Sequence, residues 1–474
     1  MFCILLCFQG MHTTAKELLI KNARLFDGTG NPPRLVSIHV KDGEIFKIGQ
    51  QLLIHDAKVL DVHGATVLPG LIDAHVHLQW VPGSVYRKDD PEQLRKFRLH
   101  HLRAYLASGV TTVLDTGISA SVLNDIHNHL KSGGIGPRVI ALGPIFRAPG
   151  GYLGEQMRLP QWGPHWRAAA TENDIKDLFK EYEGISNIVG VKVHFDHGWG
   201  PFDIWPIHTP EIRKIIQKES ANYKRPIYVH AHDKRERNIG LEMGAHSFTH
   251  IPTKGRPSED FIQRMKIQGT YLTTTLLNVE SYLAHYHLER LEDPLIQLTV
   301  PKEEIMTARD PKAWELMTQI TMRTTFFPKW VPTFIPNYLM PLGKDLSKNS
   351  IQKTYQNASK AVFTMYQAGI PIVVGSDSGN LPHLINMFHG SSTIREIELL
   401  GEAGIPSIDV LSSATRIPAE MMGVDHLIGT IEVGKRADLI VVQEDPFKNL
   451  HALRTLLWVI KDGEARRPKD WMKQ

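Results

Sequence analysis

The sequence predicts an α/β fold: a (β/α)8 TIM barrel with a small β-sandwich built from both chain ends. Three observations predict it. From about residue 68 the text alternates between short apolar, branched runs and helical stretches until eight strands are counted, the rhythm of a parallel sheet whose strands are joined by helices. Both chain ends instead hold short strand-like runs between glycine turns, with a Lys-Asp-Gly turn at Lys41–Gly43 and again at Lys461–Gly463. Residue types able to serve a metal end strands one, four, five, six and eight, an order that a closed barrel gathers at one mouth and an open sheet spreads apart.

The first strand-like runs are Leu18–Phe26, Val36–Val40, Ile45–Ile48 and Lys58–Val62, separated by turns such as Asp27–Gly30. Runs rich in branched residues and bounded by such turns read as antiparallel strands. The barrel strands are Leu68–Leu78, Gly109–Thr116, Pro137–Pro144, Ile188–Phe195, Pro226–His232, His246–Ile251, Thr270–Thr275 and Ile370–Asp377. Helical text lies between them at Pro91–Leu106, Ala120–Lys131, Asn173–Tyr182, Glu211–Tyr223, Arg235–Met243, Ser258–Gln268 and Ser359–Ala368. The stretch 276–353 is too long for a plain connection. It holds an aromatic and proline-rich part, Phe326–Tyr338, and, following strand seven, the whole stretch reads as a wall or cover of the pocket, as a surface helical excursion or as an oligomer contact. Beyond a helix at Ile408–Met422 the text returns to strands at Gly429–Val433, Ala437–Val442 and Leu456–Ile460. The expected division is 1–16 as a disordered extension, 17–67 and 427–474 as the two parts of the sandwich, and 68–426 as the barrel.

Composition narrows the function. The chain has 474 residues, 42% hydrophobic and 22% charged, with a formal net charge of +4 and mixed signs, so no nucleic-acid footprint is expected. Cys3 and Cys7 are the only cysteines, which leaves the body without a disulfide framework or a Cys-ligated zinc site. The apolar opening Met1–Gly10 lacks a basic start and is too short to span a bilayer. The expectation is a cytoplasmic protein acting on a small molecule without nucleic acid or membrane, a degenerate signal peptide and a homo-oligomer being left open.

His75 and His77 carry the chemistry furthest. Residues two apart on a strand face the same way, so H-x-H aims two imidazoles at one point, and neutral imidazole is a common metal ligand. The plain alternative is two surface histidines. Lys192 on strand four, His230 and His232 on strand five, His250 on strand six and Asp377 on strand eight stand where barrel enzymes keep their reacting groups. Strand parity sets His230 and His232 on one face.

The motifs Pro-Gly-Leu-Ile-Asp-Ala-His-Val-His (69–77), Gly-Val-Thr-Thr-Val (109–113), Gly-Pro-Arg (136–138), Val-Lys-Val (191–193), Val-His-Ala-His (229–232), Thr-His (249–250) and Gly-Ser-Asp-Ser-Gly (375–379) run nearly end to end. With the closing stretch Ile428–Leu439, the chain resembles the amidohydrolase superfamily, in its imidazolonepropionase-like and prolidase-like branch. The resemblance implies two divalent metal ions, zinc by preference. His75, His77 and Asp377 would hold one ion, His230 and His250 the other, with His232 competing for the place of His230. Lys192 would bridge them as a CO2-derived carbamate. It further implies hydrolysis of a C–N bond in an amide, cyclic amide or dipeptide-like substrate by metal-activated hydroxide, with Asp377 moving the proton. A mononuclear deaminase on the same barrel, a lactone or phosphotriester hydrolase, and a non-enzymatic scaffold are the alternatives.

The sequence departs from the family at Gly150-Gly-Tyr152, where relatives often have Gly-Gly-His, and at the aromatic exit His194–Trp199. Tyr152, His194, Arg147 and His232 are candidate substrate contacts, and Lys254 and Arg256 would suit a substrate carboxylate. The helical pairs His100/His101, His127/His129 and His285/His287 are expected at the surface.

Overall fold

The computed structural model describes residues 17–143, 145–152, 168–198, 205–252, 256–321, 344–381 and 383–473, with side chains of the helix at 344 given from residue 348 onward. The expected N-terminal extension with both cysteines, Trp199, Lys254 and the stretch 326–338 lie outside the described residues.

The chain opens with β1 (Glu17–Leu25), β2 (Arg34–Lys41), β3 (Glu44–Gly49), β4 (Lys58–Asp61) and β5 (Thr66–Pro69). Barrel strands follow: β6 (Leu71–Val76), β7 (Val110–Asp115), β8 (Arg138–Ala141), β9 (Ile145–Phe146), β10 (Val191–His194), β11 (Ile227–His230), β12 (Ser247–Thr249), β13 (Tyr271–Thr273) and β14 (Ile372–Val373). The last strands are β15 (Leu439–Val442), β16 (Leu456–Lys461) and β17 (Glu464–Arg466).

The barrel forms from two parallel runs, β6-β7-β8 and β9-β10-β11-β12-β13-β14. Two seams close it. At one, Ala141 bridges Ile188. At the other, Val76 bridges Ser378, and the N–H groups of Ala74, Asp377 and His77 donate to the carbonyls of Val374, His75 and Ser378. The barrel strands are buried on both faces, as in parallel sheets covered by helices: every residue of β6, β7, β10 and β11 is buried, polar Asp73, His75, Lys192, His194 and His230 included.

Both chain ends meet in one eight-stranded sheet, ordered β17-β16-β15-β5-β1-β2-β3 with β4 beside β1. Val441 of β15 pairs antiparallel with Val67 of β5. The sheet curls until Ile45 N–H reaches the Lys435 carbonyl and Ala437 N–H reaches that of Gly43. Leu25, Ile38, Val67, Leu439, Val441 and Ile460 share its core.

Several expected boundaries moved. The run Leu68–Leu78 divides at Gly70, β5 staying in the outer sheet and β6 entering the barrel. A Cβ at Gly70 would stand 2.2 Å from Thr111 Oγ1, so the chain crosses there only without a side chain. Gly429–Val433 is not a strand, although Ile431 N–H still donates to the Asp27 carbonyl. The helix before β14 runs over Lys344–Gln367 rather than from Ser359; its first half is mostly polar and shows no apolar stripe.

The described part of the long insertion holds helices Leu276–Ser281, Pro294–Thr299, Lys302–Arg309 and Pro311–Thr321. It covers the barrel helix Pro91–Ala107, which starts on an Asp90/Gln93 capping box. His100 Nε2 lies 2.8 Å from the Thr299 carbonyl and His101 Nε2 2.7 Å from Glu304 Oε1. His101 is therefore not a surface histidine but buried, because the insertion supplies a partner that the helical periodicity cannot show. No described helix is long and apolar enough to cross a membrane.

Two measurements check this packing. Burial raises the Glu304 carboxyl from the usual 4.5 to about 7, against the pull of Arg87 and His389. A carboxyl held above its unfolded value contributes stability below the unfolded pKa and loses it as pH rises through the folded one. The thermal midpoint of the wild type should therefore fall relative to Glu304→Gln between pH 4.5 and about 7; a constant difference would contradict a buried, proton-holding Glu304. At the closing seam, Gly379 has φ +70° and its Cβ would stand 2.4 Å from the His389 ring and 2.6 Å from the His77 carbonyl, whereas Gly423 at φ +69° has nothing within 4 Å. Gly379→Ala should cost roughly 2–4 kcal/mol by chemical denaturation and Gly423→Ala about 1 kcal/mol. Equal costs would show that the turn has room to spare.

Candidate metal centre at the barrel mouth

The C-terminal ends of the barrel strands deliver the expected residues to one place. His75 lies on β6 and His77 just past it, Lys192 and His194 on β10, His230 on β11 with His232 two residues on, His250 after β12, and Asp377 four residues after β14. His75, His77, Tyr152, Lys192, His194, His230, His232, His250 and Asp377 line a single cavity of about 30 Å³, with Trp80, Asn278, Asn380 and Leu381. Arg147 and Arg256 are not among its described lining residues.

Nε2 of His75 and of His77 stand 3.3 and 3.2 Å from the same oxygen, Asp377 Oδ1. His250 Nδ1 is 3.9 Å from Asp377 Oδ2 and 3.0 Å from Thr275 Oγ1. Ring centroids are 4.9 Å apart for His75 and His250, 4.5 Å for His230 and His250, and 5.1 Å for His232 and His250. Two groups bring three donor atoms within 4.8 Å of one another: His75, His250 and Asp377, and His230, His232 and His250. His75 Nε2 and Asp377 Oδ1 are buried without a hydrogen-bond partner. Nitrogen and carboxylate donors that converge without bonding one another suit a divalent transition ion.

A third group, His197, Asp233 and Glu236, also gathers donors. There Glu236 Oε1 accepts the His197 N–H, Oε2 accepts those of His232 and Asp233, and Asp233 caps the Glu236 N–H. Its lone pairs serve a helix start and brace the backbone of His232.

Electrostatics favour ligand-competent states. Burial lowers His75 and His230 to about 3, with Lys192 adding to the effect. Burial, then His230, lowers His232 to about 3. These imidazoles are neutral at pH 7 and keep a lone pair. Burial raises Asp377, but His75 and His77 outweigh it and hold the carboxyl below the usual carboxylate range. Lys192 is 1% exposed, and burial brings its amine down to about 7 while Asp377 pulls the other way. Its Nζ donates to Thr249 Oγ1.

His250 (φ 71°) and Asp377 (φ 58°) both adopt the left-handed backbone region. That region is uncommon for non-glycine residues and concentrates at functional sites.

Three neighbours escaped the sequence reading. Asn278 and Asn380 each donate to Asp377 Oδ2, at 2.6 and 2.7 Å. Asp196 Oδ2 lies 3.1 Å from His230 Nε2. Asp196 sits on the aromatic exit of β10 and Asn380 directly after the Gly-Ser-Asp-Ser-Gly motif, so adjacency pointed to both; Asn278 stands in the long insertion, where no motif marks it. Tyr152 stacks on His194 and His230, with ring centroids 5.6 and 5.5 Å away.

Comparison with known proteins places the chain in a family and a fold. Residues 66–466 match the model of the Amidohydrolase family. The dihydroorotase of Lactococcus lactis is 36% identical over 98 residues, 20% of this chain and 21% of that enzyme. The dihydroorotase of Aquifex aeolicus is 38% identical over 73 residues, 15% and 17% of the two chains. These matches thus span about a fifth of the curated relatives' length. Among solved structures, a Xaa-Pro dipeptidase with bound methionine superposes with a TM-score of 0.69 at 21% identity, covering 95% of this chain and 99% of its own. The ochratoxinase of A. niger gives 0.68 at 18% identity, covering 95% of each. These likenesses establish the fold, and the family match covers most of the sequence: the chain belongs to the amidohydrolase family.

Proposed function

We propose that this protein is a metal-dependent hydrolase that cleaves a C–N bond in an amide, cyclic amide or dipeptide-like small molecule. The observation that carries the reading is the convergence of His75, His77, Lys192, His230, His250 and Asp377 on one buried cavity. Membership of the amidohydrolase family and the partial likeness to enzymes named dihydroorotase support it.

In this reading His75, His77 and Asp377 would hold one divalent cation, zinc by preference, and His230 and His250 would hold a second. His232 competes with His230, since both belong to the same donor group. Bound cations supply Lewis acidity, polarising the scissile carbonyl and acidifying water. Lys192 would serve both ions as a carbamate: its neutral amine would add CO2, forming an N–C bond and releasing one proton. An amine lowered to about 7 by burial has the free lone pair that this addition needs. Asp377 accepts the proton of the attacking water and returns it to the departing nitrogen. Asp196 fixes the ring of His230 through Nε2, leaving Nδ1 as the ligand atom. Tyr152 and His194 face the substrate.

The mononuclear deaminase reading draws on one feature: His250 belongs to both donor groups, so a single ion could use histidines from both. A metal count separates the two.

Purified protein should carry about two divalent ions per chain, and chelation should abolish hydrolysis. His75→Ala and Asp377→Ala should each lower metal content and activity together, by roughly 10–100-fold or more. Full activity in a metal-free preparation refutes the proposal; one ion per chain with full activity favours the deaminase. The substrate class is read from a screen of Xaa-Pro dipeptides, N-acyl amino acids, cyclic amides, lactones and phosphotriesters. For Lys192, bicarbonate should speed reconstitution of metal-free wild type, and formate or acetate should partly restore Lys192→Ala. A bare Lys192 amine in a fully loaded, active crystal would sink the carbamate.

A further inference from the structure

The two oxygens of Asp377 stand in different surroundings. Oδ1 faces His75 and His77. Oδ2 receives the side-chain amides of Asn278 at 2.6 Å and Asn380 at 2.7 Å. A carboxylate oxygen offers two lone pairs, and two N–H donors fill them. An ionised carboxylate only accepts, so each asparagine must turn its Nδ2 toward Asp377.

Both donors are themselves held. Asn278 is buried in helix Leu276–Ser281, whose first amides, of Leu276 and Leu277, donate to Oε1 and Oε2 of the buried Glu396 at 3.0 and 2.8 Å. Ser281 Oγ donates back to the Asn278 carbonyl at 2.7 Å. Asn380 closes a turn, its N–H 3.1 Å from the Asp377 carbonyl, and Gly379 N–H is fixed 2.8 Å from the Met387 carbonyl. The donors come from two neighbouring strand ends, one from the insertion after β13 and one from the turn after β14. Their kind also matters. An amide is neutral, so it can orient a carboxylate beside a cation without repelling that cation, as an ammonium or guanidinium would.

We propose that Asn278 and Asn380 are positioning residues that clamp Asp377 Oδ2, so that Oδ1 alone is presented to the cation and to the transferred proton. The proposal rests on the metal-hydrolase reading above. While both amides are seated Oδ2 has no lone pair to spare, so the proton taken from water enters and leaves through Oδ1. The clamp also keeps the carboxylate plane from turning, which is how an outer partner strengthens a metal ligand.

The test uses Asn278→Leu, Asn380→Leu and the double variant, which keep side-chain size and remove the donors. Zinc-loaded full-length proteins are challenged with a chelator, cobalt(II)-loaded samples give visible spectra, and kcat and KM are measured on the substrate found by the screen. Each single variant should lose metal about 10-fold faster than wild type, and the double variant faster than either. The cobalt bands should shift, and the loss in kcat/KM should lie in kcat with KM changed less than about 3-fold. A loss confined to KM, or wild-type metal retention and cobalt spectra in the folded variants, overturns the clamp while leaving the hydrolase reading intact. Should Asn278→Leu fail to fold, Asn380→Leu on the half-buried turn decides by the same criteria. A wild type that takes up no divalent ion overturns the clamp and the metal-dependent reading together.

Discussion

The barrel depends on the seam between β6 and the chain leaving β14. A backbone ladder runs along it through Ala74, His75, His77, Val374, Asp377 and Ser378. The buried carboxylate of Asp73 locks it. Oδ1 accepts the N–H groups of Ser376 and His75 at 2.9 and 3.3 Å, and Oδ2 accepts the hydroxyls of Ser376 and Thr393, each at 2.6 Å. Burial pushes this carboxyl up to about 6, and the donors from Ser376, Thr393 and His75 restrain the rise. Each buried donor left without its acceptor would cost roughly 1–3 kcal/mol, so the contact joins residues 303 positions apart with little freedom to slip. Asp377 is the next residue along, and its meeting with His75 and His77 follows from that register.

The site gathered at the seam works against folding in several ways. His75, His230, His232 and His250 are all buried, and burial disfavours their charged forms. Lys192 is buried too, and burial brings its pKa down to about 7. His250 and Asp377 hold left-handed backbone conformations, each at a cost on the order of 1–3 kcal/mol. The surrounding barrel must overdetermine these positions, and the closed ring of parallel strands does so. The same burial that burdens the fold leaves neutral imidazoles, a weakly basic lysine and an ionised aspartate side by side, a donor set poised for cations.

The outer layers hold this mouth from two sides. Below it, Arg138 at the start of β8 reaches Asp438 and Asp462 at 3.4 and 3.2 Å, and Lys461 joins Asp438 at 3.1 Å, tying the barrel to the sheet made from both chain ends. Asp438 and Lys461 are nearly buried there, whereas Asp462 is partly exposed and contributes less for that reason. Above it, the insertion seats Glu304 against His101 and carries Asn278 to the Asp377 carboxylate. The segment read as a wall or an oligomer contact thus has, in its described part, an inward role.

The sequence by itself determined what depends on local pattern. The period of two aims His75 and His77 together, the strand–helix rhythm announces the barrel, and the matching ends announce a shared β layer. The residues of the donor cluster were legible because each lies at or just past the end of a strand; alternation settles the direction of His75, Lys192 and His230 on their strands, whereas the left-handed turns of His250 and Asp377 do so for those two. Asn278 and the Glu304–His101 pair were not legible, nor was the division at Gly70. Each depends on which distant segments touch. Asn278 meets Asp377 across 99 residues, and His101 meets Glu304 across 203. Such contacts leave no periodicity in the chain, because hydrogen bonding and close approach act through space, and only the closed barrel with its insertion brings the partners within reach.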